Sequence, residues 1–358
     1  MNTTKSKITL TLIAAALALA GCGGGGGSTE PSSTAPATPT GPTTPTTPDP
    51  NALQPTVGDT SYVAGSIELS AFTTLNQARS AYGVGQLAQS TSLDAAAGHH
   101  ADYIGQRFKE GDYSAATHDE DASKSGFTGG TPDARITYAG YAASATGENL
   151  SSIIAVDGVS SDAGAVAVTV LLSGPYHRFG LFDGYRDVGI GHNSQRLPNE
   201  GGMRNTVVLD SGVAHALQPQ QPASDWIGMW PLNGATNVLY SFAGETPNPI
   251  PVNKGACAGY PVSVQVRDGQ TLATTAFTLT ETASGAVVNV QLSDKSSDAN
   301  PTQARANTAY IIPYKPLKLA TQYTAHFVGS RNGVAIDKTW TFTTRADNVK
   351  LVYGCDPS

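Results

Sequence analysis

Two histidines and a glutamate are the residues of this 358-residue chain that could do chemistry together. His118 lies in Thr117-His118-Asp119-Glu120, Glu148 in Gly147-Glu148-Asn149-Leu150, and His177 in Ser173-Gly174-Pro175-Tyr176-His177-Arg178. Neutral imidazoles with one or two carboxylates make a ligand set for zinc or another divalent cation. With three protein ligands and an open position, such an ion activates water for hydrolysis. No His-Glu-x-x-His helix fixes two ligands one turn apart, so only the fold could assemble these segments. A nucleophile beside a histidine is a second chemistry, with Ser173 four residues before His177 and Glu148 able to orient the ring. Ser173 lacks a Gly-x-Ser-x-Gly elbow and sits where a helix-ending turn needs small polar residues, which weighs against it. Plainer roles are open for each residue. His118 fits a solvated loop histidine among Asp119, Glu120 and Asp121. Glu148 fits a carboxylate tying down a Gly147–Ser152 turn, and His177 a helix-end histidine serving the last carbonyls.

The elements that must position these residues are partly visible. Ile67, Ala71, Leu75, Ala78 and Tyr82 recur at helical spacing, and Gly83 and Gly85 end the run. A second helix starts at Ser90-Thr91-Ser92 and carries Leu93, Ala96, Ala97, His100, Ile104 and Phe108. Of His99 and His100, one belongs in its packed face, and neither is given a catalytic role. Lys109 to Gly140 is polar and Gly-rich, while Ala163 to Leu172 is apolar throughout and fits either a helix or a buried strand. Asp187 to Gly191 and Asn205 to Ala214 read as strands. Helices around a few strands point to an α+β class. Arg79 and Arg135 are assigned structural salt bridges.

The order of short motifs resembles the CAP superfamily of cysteine-rich secretory, antigen 5 and pathogenesis-related proteins, and its bacterial, SCP-like branch best. Leu75-Asn76-Gln77-Ala78-Arg79, Leu93 to Ala97, His100-Ala101-Asp102-Tyr103 and His118-Asp119-Glu120 come first. Gly126-Phe127-Thr128-Gly129, Gly147 to Leu150, Ser173 to Arg178 and Val188-Gly189-Ile190-Gly191 follow. The resemblance implies an α-β-α sandwich, a helix over Ala163–Leu172, and a cavity of two histidines and two acids. By motif position His118, Glu148 and His177 match three of the four. Val166 to Val170 offer no acid where many family members carry the fourth, and Glu120 is the substitute candidate.

The chain's ends speak to its address. Lys5 and Lys7 precede thirteen apolar residues, Ile8 to Ala20, too few to span a bilayer and suited to a signal peptide. Leu19-Ala20-Gly21-Cys22 resembles a bacterial lipobox, which implies cleavage after residue 21 and lipidation of Cys22. Gly23 in place of Asp implies the outer membrane if the cell is Gram-negative. Residues 22–60 are Gly-rich and then Pro/Thr-rich, a spacer with too little apolar surface to fold. Losing Lys5 and Lys7 leaves 19 basic against 28 acidic residues, a mature charge near −9. With no basic block, nucleic acid is not an expected partner. Cys257 and Cys355 remain as an even pair in an oxidising compartment, and a bridge would close about 99 residues, worth about 4–5 kcal/mol by chain entropy.

The CAP-like part spans 61–217, and Gln218 to Pro222 reads as a linker. Residues 222–346 alternate in short runs, such as Val262 to Val266 and Thr339 to Thr344, separated by Asp268-Gly269 and Asn332-Gly333 turns. Trp230-Pro231-Leu232-Asn233-Gly234 and Trp340-Thr341-Phe342-Thr343-Thr344 resemble bacterial Ig-like domains, which implies an all-β sandwich with Trp230 and Trp340 in its core. A tail, 347–358, carries Cys355. Together these readings describe an anchored cell-envelope protein whose CAP-like cleft binds a small apolar ligand or surface partner without catalysis. A metal-assisted, peptidase-like hydrolase using His118, Glu148 and His177, with zinc or another divalent cation on the two histidines, is the alternative.

Overall fold

A computed structural model describes residues 49–155, 162–198, 200–242, 244–250 and 257–347. The expected signal peptide, Cys22, most of the spacer and Cys355 lie outside these residues. The N-terminal part runs α1 (Ile67–Tyr82), β1 (Ala88–Gln89), α2 (Thr91–Lys109), α3 (Pro132–Tyr138), β2 (Ala143–Ala155), α4 (Asp162–Ser173), α5 (Pro175–Leu181), β3 (Asp187–Arg196) and β4 (Met203–Ala214). The C-terminal part is all strand: β5 (Ile227–Trp230), β6 (Ala235–Val238), β7 (Ser241–Phe242), β8 (Ala258–Gly259), β9 (Val262–Val266), β10 (Leu272–Glu281), β11 (Val290–Asp294), β12 (Thr308–Pro313), β13 (Gln322–Arg331) and β14 (Val334–Thr344). The class is α+β. No described helix is long and apolar enough to cross a membrane.

Local signals explain the helix ends. Ser66 and Ser90 cap α1 and α2 through their hydroxyls, each such cap being worth about 1 kcal/mol. Gly83 ends α1 in the left-handed region at φ 84°. Ala163–Leu172 is helical within α4, and its burial on α1 removes the ambiguity its β-branched residues create.

The first sheet has the order β1-β3-β4-β2, so β2 is an outer strand. Alternation along β4 sorts its two faces. Val207 and Leu209 join α1 and α4 in one core, while Val208 meets Ala97 and Ala101 of α2. Three layers result, helix over sheet over helix. Gly189 and Gly191 of β3 lie under α2, where a Cβ would collide with the backbone at Leu93–Asp94 and Ala97–Gly98. Their close approach is what the Val-Gly-Ile-Gly pattern encodes.

Two four-stranded sheets, β10-β13-β14-β6 and β11-β12-β9-β5, make the C-terminal part, with β7 and β8 paired beside them. Val262, Val264 and Ile311 from one sheet pack on Phe277, Phe327, Trp340 and Phe342 from the other. The opposite face of β9 and β12 is also buried. Tyr310 and Ile312 pack on Tyr176 and Phe179 of α5, and Ser263 accepts from Arg178 Nη1 at 2.8 Å. Within 218–222, Gln220 and Pro222 are buried. Gln220 is 1% exposed and donates to the carbonyls of Gln86 and Tyr185.

Candidate functional site

Glu148 sits mid-strand on β2, so Gly147–Ser152 are extended and paired with β4 instead of forming a turn. The register puts Glu148 opposite Asp210, on the α2 side of the sheet. His118 comes from the loop between α2 and α3. Its Nδ1 lies 2.7 Å from Glu148 Oε1, with the ring 45% exposed and the carboxylate fully buried. Arg135 of α3 reaches the other oxygen, its Nη2 donating to Glu148 Oε2 at 2.6 Å and to the His118 carbonyl at 2.9 Å. Its Nη1 donates to the Gly129 carbonyl at 3.3 Å. The loop bearing His118 is thus held by the guanidinium that pairs with Glu148.

Burial works to raise the Glu148 carboxyl, but the His118 hydrogen bond and the charges of His100 and Arg135 outweigh it and hold the group below the ordinary carboxylate range. Asp210 goes the other way. It is completely buried, and its oxygens receive no N–H or O–H from another side chain or the backbone. Burial first, and the Glu148 charge second, push its pKa well above the ordinary value, against a pull from Arg135. Two facing carboxyl groups resist ionising together, and their pKa values are pushed apart, Glu148 downward and Asp210 upward.

Glu120 is placed elsewhere. Its Oε1 lies 2.9 Å from His100 Nδ1, and its Oε2 accepts from the Thr128 backbone N–H at 2.8 Å. His100 is fully buried, and its Nε2 lies 2.9 Å from the Thr117 carbonyl. This pair is a buried brace for the 117–129 loop. It meets the site through the backbone of that loop, the 3.8 Å approach of His100 Nε2 to Glu148 Oε1, and the 3.8 Å approach of Glu120 Oε1 to Arg135 Nε. Desolvation raises the Glu120 carboxyl, yet the His100 and Thr128 hydrogen bonds leave it net lowered.

His177 lies in the first turns of α5, following Gly174 and Pro175. Its Nδ1 is 2.6 Å from Glu245 Oε2, an acid of the C-terminal part that follows β7 and is 2% exposed. Ser173 donates its hydroxyl to the Val170 carbonyl at 2.6 Å, closing the end of α4. Arg79 makes hydrogen bonds to the carbonyls of Gly85, Leu181 and Asp183, whereas the buried ion pair belongs to Arg135.

A cleft of about 550 Å³ runs along outer strand β2 and is lined by His118 and His177, with Leu150, Ile153, Leu171 and Glu245 among its walls. His118 and His177 therefore line one cleft, with Glu148 buried against the His118 ring and Glu120 set apart from it on His100. Each histidine presents Nδ1 to a buried carboxylate, which orients the ring and leaves Nε2 as the nitrogen able to meet a ligand. Among the described residues no three His, Cys, Asp or Glu side chains converge as a metal-ligand set.

Two members of the site were not anticipated. Asp210 left a trace, an acid directly after the apolar run Val207-Val208-Leu209 in a segment that reads as a strand. Glu245, in Gly244-Glu245-Thr246-Pro247, reads as an ordinary turn and left none. No protein-family model matches the chain, and no curated protein matches it significantly.

Proposed function

We propose that the chain is an exported, lipid-anchored CAP-like protein that binds a small amphipathic ligand in the β2 cleft and does not turn it over. The observation that carries this reading is the cleft itself. Leu150, Ile153 and Leu171 offer it apolar wall, and two carboxylate-oriented histidines offer it polar contacts. A pocket of this size with few fixed polar groups suits a small molecule. The helix-sheet-helix layering of the N-terminal part supports the CAP assignment, and the two facing sheets of the C-terminal part support the Ig-like one. The Cys22 anchor, outer-membrane placement and Cys257–Cys355 bridge belong to the same proposal. Two imidazoles alone fall short of the three or four protein ligands of a zinc site, so the hydrolase reading gains no support.

The test is native mass spectrometry of the purified chain, residues 23–358, mixed with a panel of fatty acids and lysophospholipids. Ile153→Trp, which narrows the cleft, and the double variant His118→Ala/His177→Ala serve as comparisons. Adducts in the wild type that weaken at least tenfold in both variants are expected. A peptide or ester hydrolysed by the wild type and spared by Glu148→Gln overturns the reading in favour of an enzyme.

A further inference from the structure

We infer that Glu245 is the positioning residue for His177, so that the cleft is completed by the C-terminal part of the chain and is not a property of the N-terminal part alone. Glu245 accepts from three groups on α5. These are the backbone N–H of Tyr176 at 3.0 Å, the backbone N–H of His177 at 3.1 Å, and the His177 ring through Nδ1 at 2.6 Å. The helix has no side-chain cap of its own, because its N-cap is Gly174. Any side chain there would collide with Glu245 Oε2, so glycine admits the carboxylate. One acid thus fixes both the start of the helix and the ring projecting from it.

The helix that Glu245 caps is itself held against the C-terminal part. Arg178, next along α5 and fully buried, donates from Nε to the Leu172 carbonyl at 2.7 Å within the N-terminal part. Its Nη2 donates to the Pro261 carbonyl at 3.0 Å across the interface. Tyr310 of β12 donates to Asp298 at 2.7 Å, and its hydroxyl oxygen lies 3.1 Å from that of Tyr176. Around them Phe179, Phe242, Ile250 and Ile312 form a shared apolar cluster. Helix α5 is therefore clamped from both sides, and His177 faces a wall that includes Gly244, Glu245 and Thr246.

A carboxylate at Nδ1 holds a neutral imidazole in the Nδ1–H tautomer and leaves Nε2 with its lone pair toward a ligand. That state is a readout independent of any ligand and insensitive to a purely mechanical cap. Imidazole ¹⁵N spectra of the full mature chain, at about pH 8 and above the ordinary imidazole range, report it directly. The expected result is Nδ1–H for His177 in the wild type and a shift toward the Nε2–H form in Glu245→Ala. His118, held by Glu148, keeps its tautomer in both. Arg305→Gln, which breaks the Arg305–Asp183 pair elsewhere on the same interface, should leave His177 unchanged. An Nε2–H tautomer for His177 in the wild type overturns the inference, and this holds even where Glu245→Ala does not fold. Retention of Nδ1–H in a folded Glu245→Ala, or an equal shift in Arg305→Gln, also overturns it. Absence of lipid adducts with the expected tautomers would sink the ligand-binding proposal and leave this assignment standing.

Discussion

Replacing Arg135 by methionine probes the charge arrangement beneath the cleft most directly. The guanidinium is fully buried and places one nitrogen 2.6 Å from Glu148 Oε2, with its Nε 3.8 Å from Glu120 Oε1. Methionine keeps much of the stem's packing, so the loss is mainly electrostatic. Glu148 is left buried with the His118 hydrogen bond, His100 at 3.8 Å and the facing Asp210 as its near partners. Removing one member of a buried ion pair costs about 3–5 kcal/mol, because the surviving charge keeps its desolvation cost. At the lower end of the scaling for large domains, about 2 °C per kcal/mol, the melting temperature should fall by about 6–10 °C. Differential scanning calorimetry at neutral pH measures it, with Arg135→Met/Glu148→Gln completing a double-mutant cycle. Neutralising the orphaned acid should recover at least about 1.5 kcal/mol, since sites in direct contact couple. A loss below about 1 kcal/mol, or strictly additive effects of the two substitutions, would show that Glu148 is solvated and would refute the buried network.

Asp210→Asn should change how stability depends on pH. The folded-state pKa of Asp210 lies above its unfolded value, so between the two the folded chain holds the extra proton. Stability from this group is therefore present below the unfolded carboxylate pKa, about 3.9, and declines as pH rises through the window above it. Asparagine does not titrate, so the variant's melting temperature should fall less steeply as pH rises above about 4, and parallel curves would contradict a raised Asp210 pKa. Cys22→Ala should move the protein from the membrane to the soluble fraction of the cell envelope, whereas continued retention after a carbonate wash would count against lipidation.

The helices that carry the first layer were legible because their signals are local. Ile67 to Tyr82 show the helical period and Gly83 follows to end it, and α1 covers that span. The bounds of α2 follow the Ser90 cap in the same way. The Lys109–Gly140 stretch hid α3, a seven-residue helix that Thr131 caps and Pro132 opens, because seven residues show too little period to stand out. Strand β2 was missed for a different reason. Ala143 to Ser152 are small and polar, with little β propensity, and β2 exists because β4 supplies it with backbone partners along its length. Glu148 was identified as a site residue while its setting was misread, since a motif names a residue without naming the strand beneath it.

What the sequence concealed lies mostly between the two parts of the chain. Val262-Ser263-Val264-Gln265-Val266 shows the alternation of a strand with one wet face, yet Ser263 and Gln265 are 0% and 3% exposed. Their polarity serves partners instead of water, Ser263 accepting from Arg178 and Gln265 from the Tyr82 hydroxyl at 3.3 Å. A period-two pattern reports which side chains share a face but not what covers that face. Glu245 follows the same logic. It stands 68 residues from His177, in a segment whose composition says only that the chain turns, and its role arises because the sandwich docks on α5. A truncation at the 218–222 segment would therefore remove more than an appended module. It would uncover Tyr176, Phe179 and Arg178, leave α5 without its carboxylate cap, and open one wall of the cleft. The two histidines of the site are oriented by acids from different parts of the chain, and that shared construction makes the cleft and the interface one structural problem.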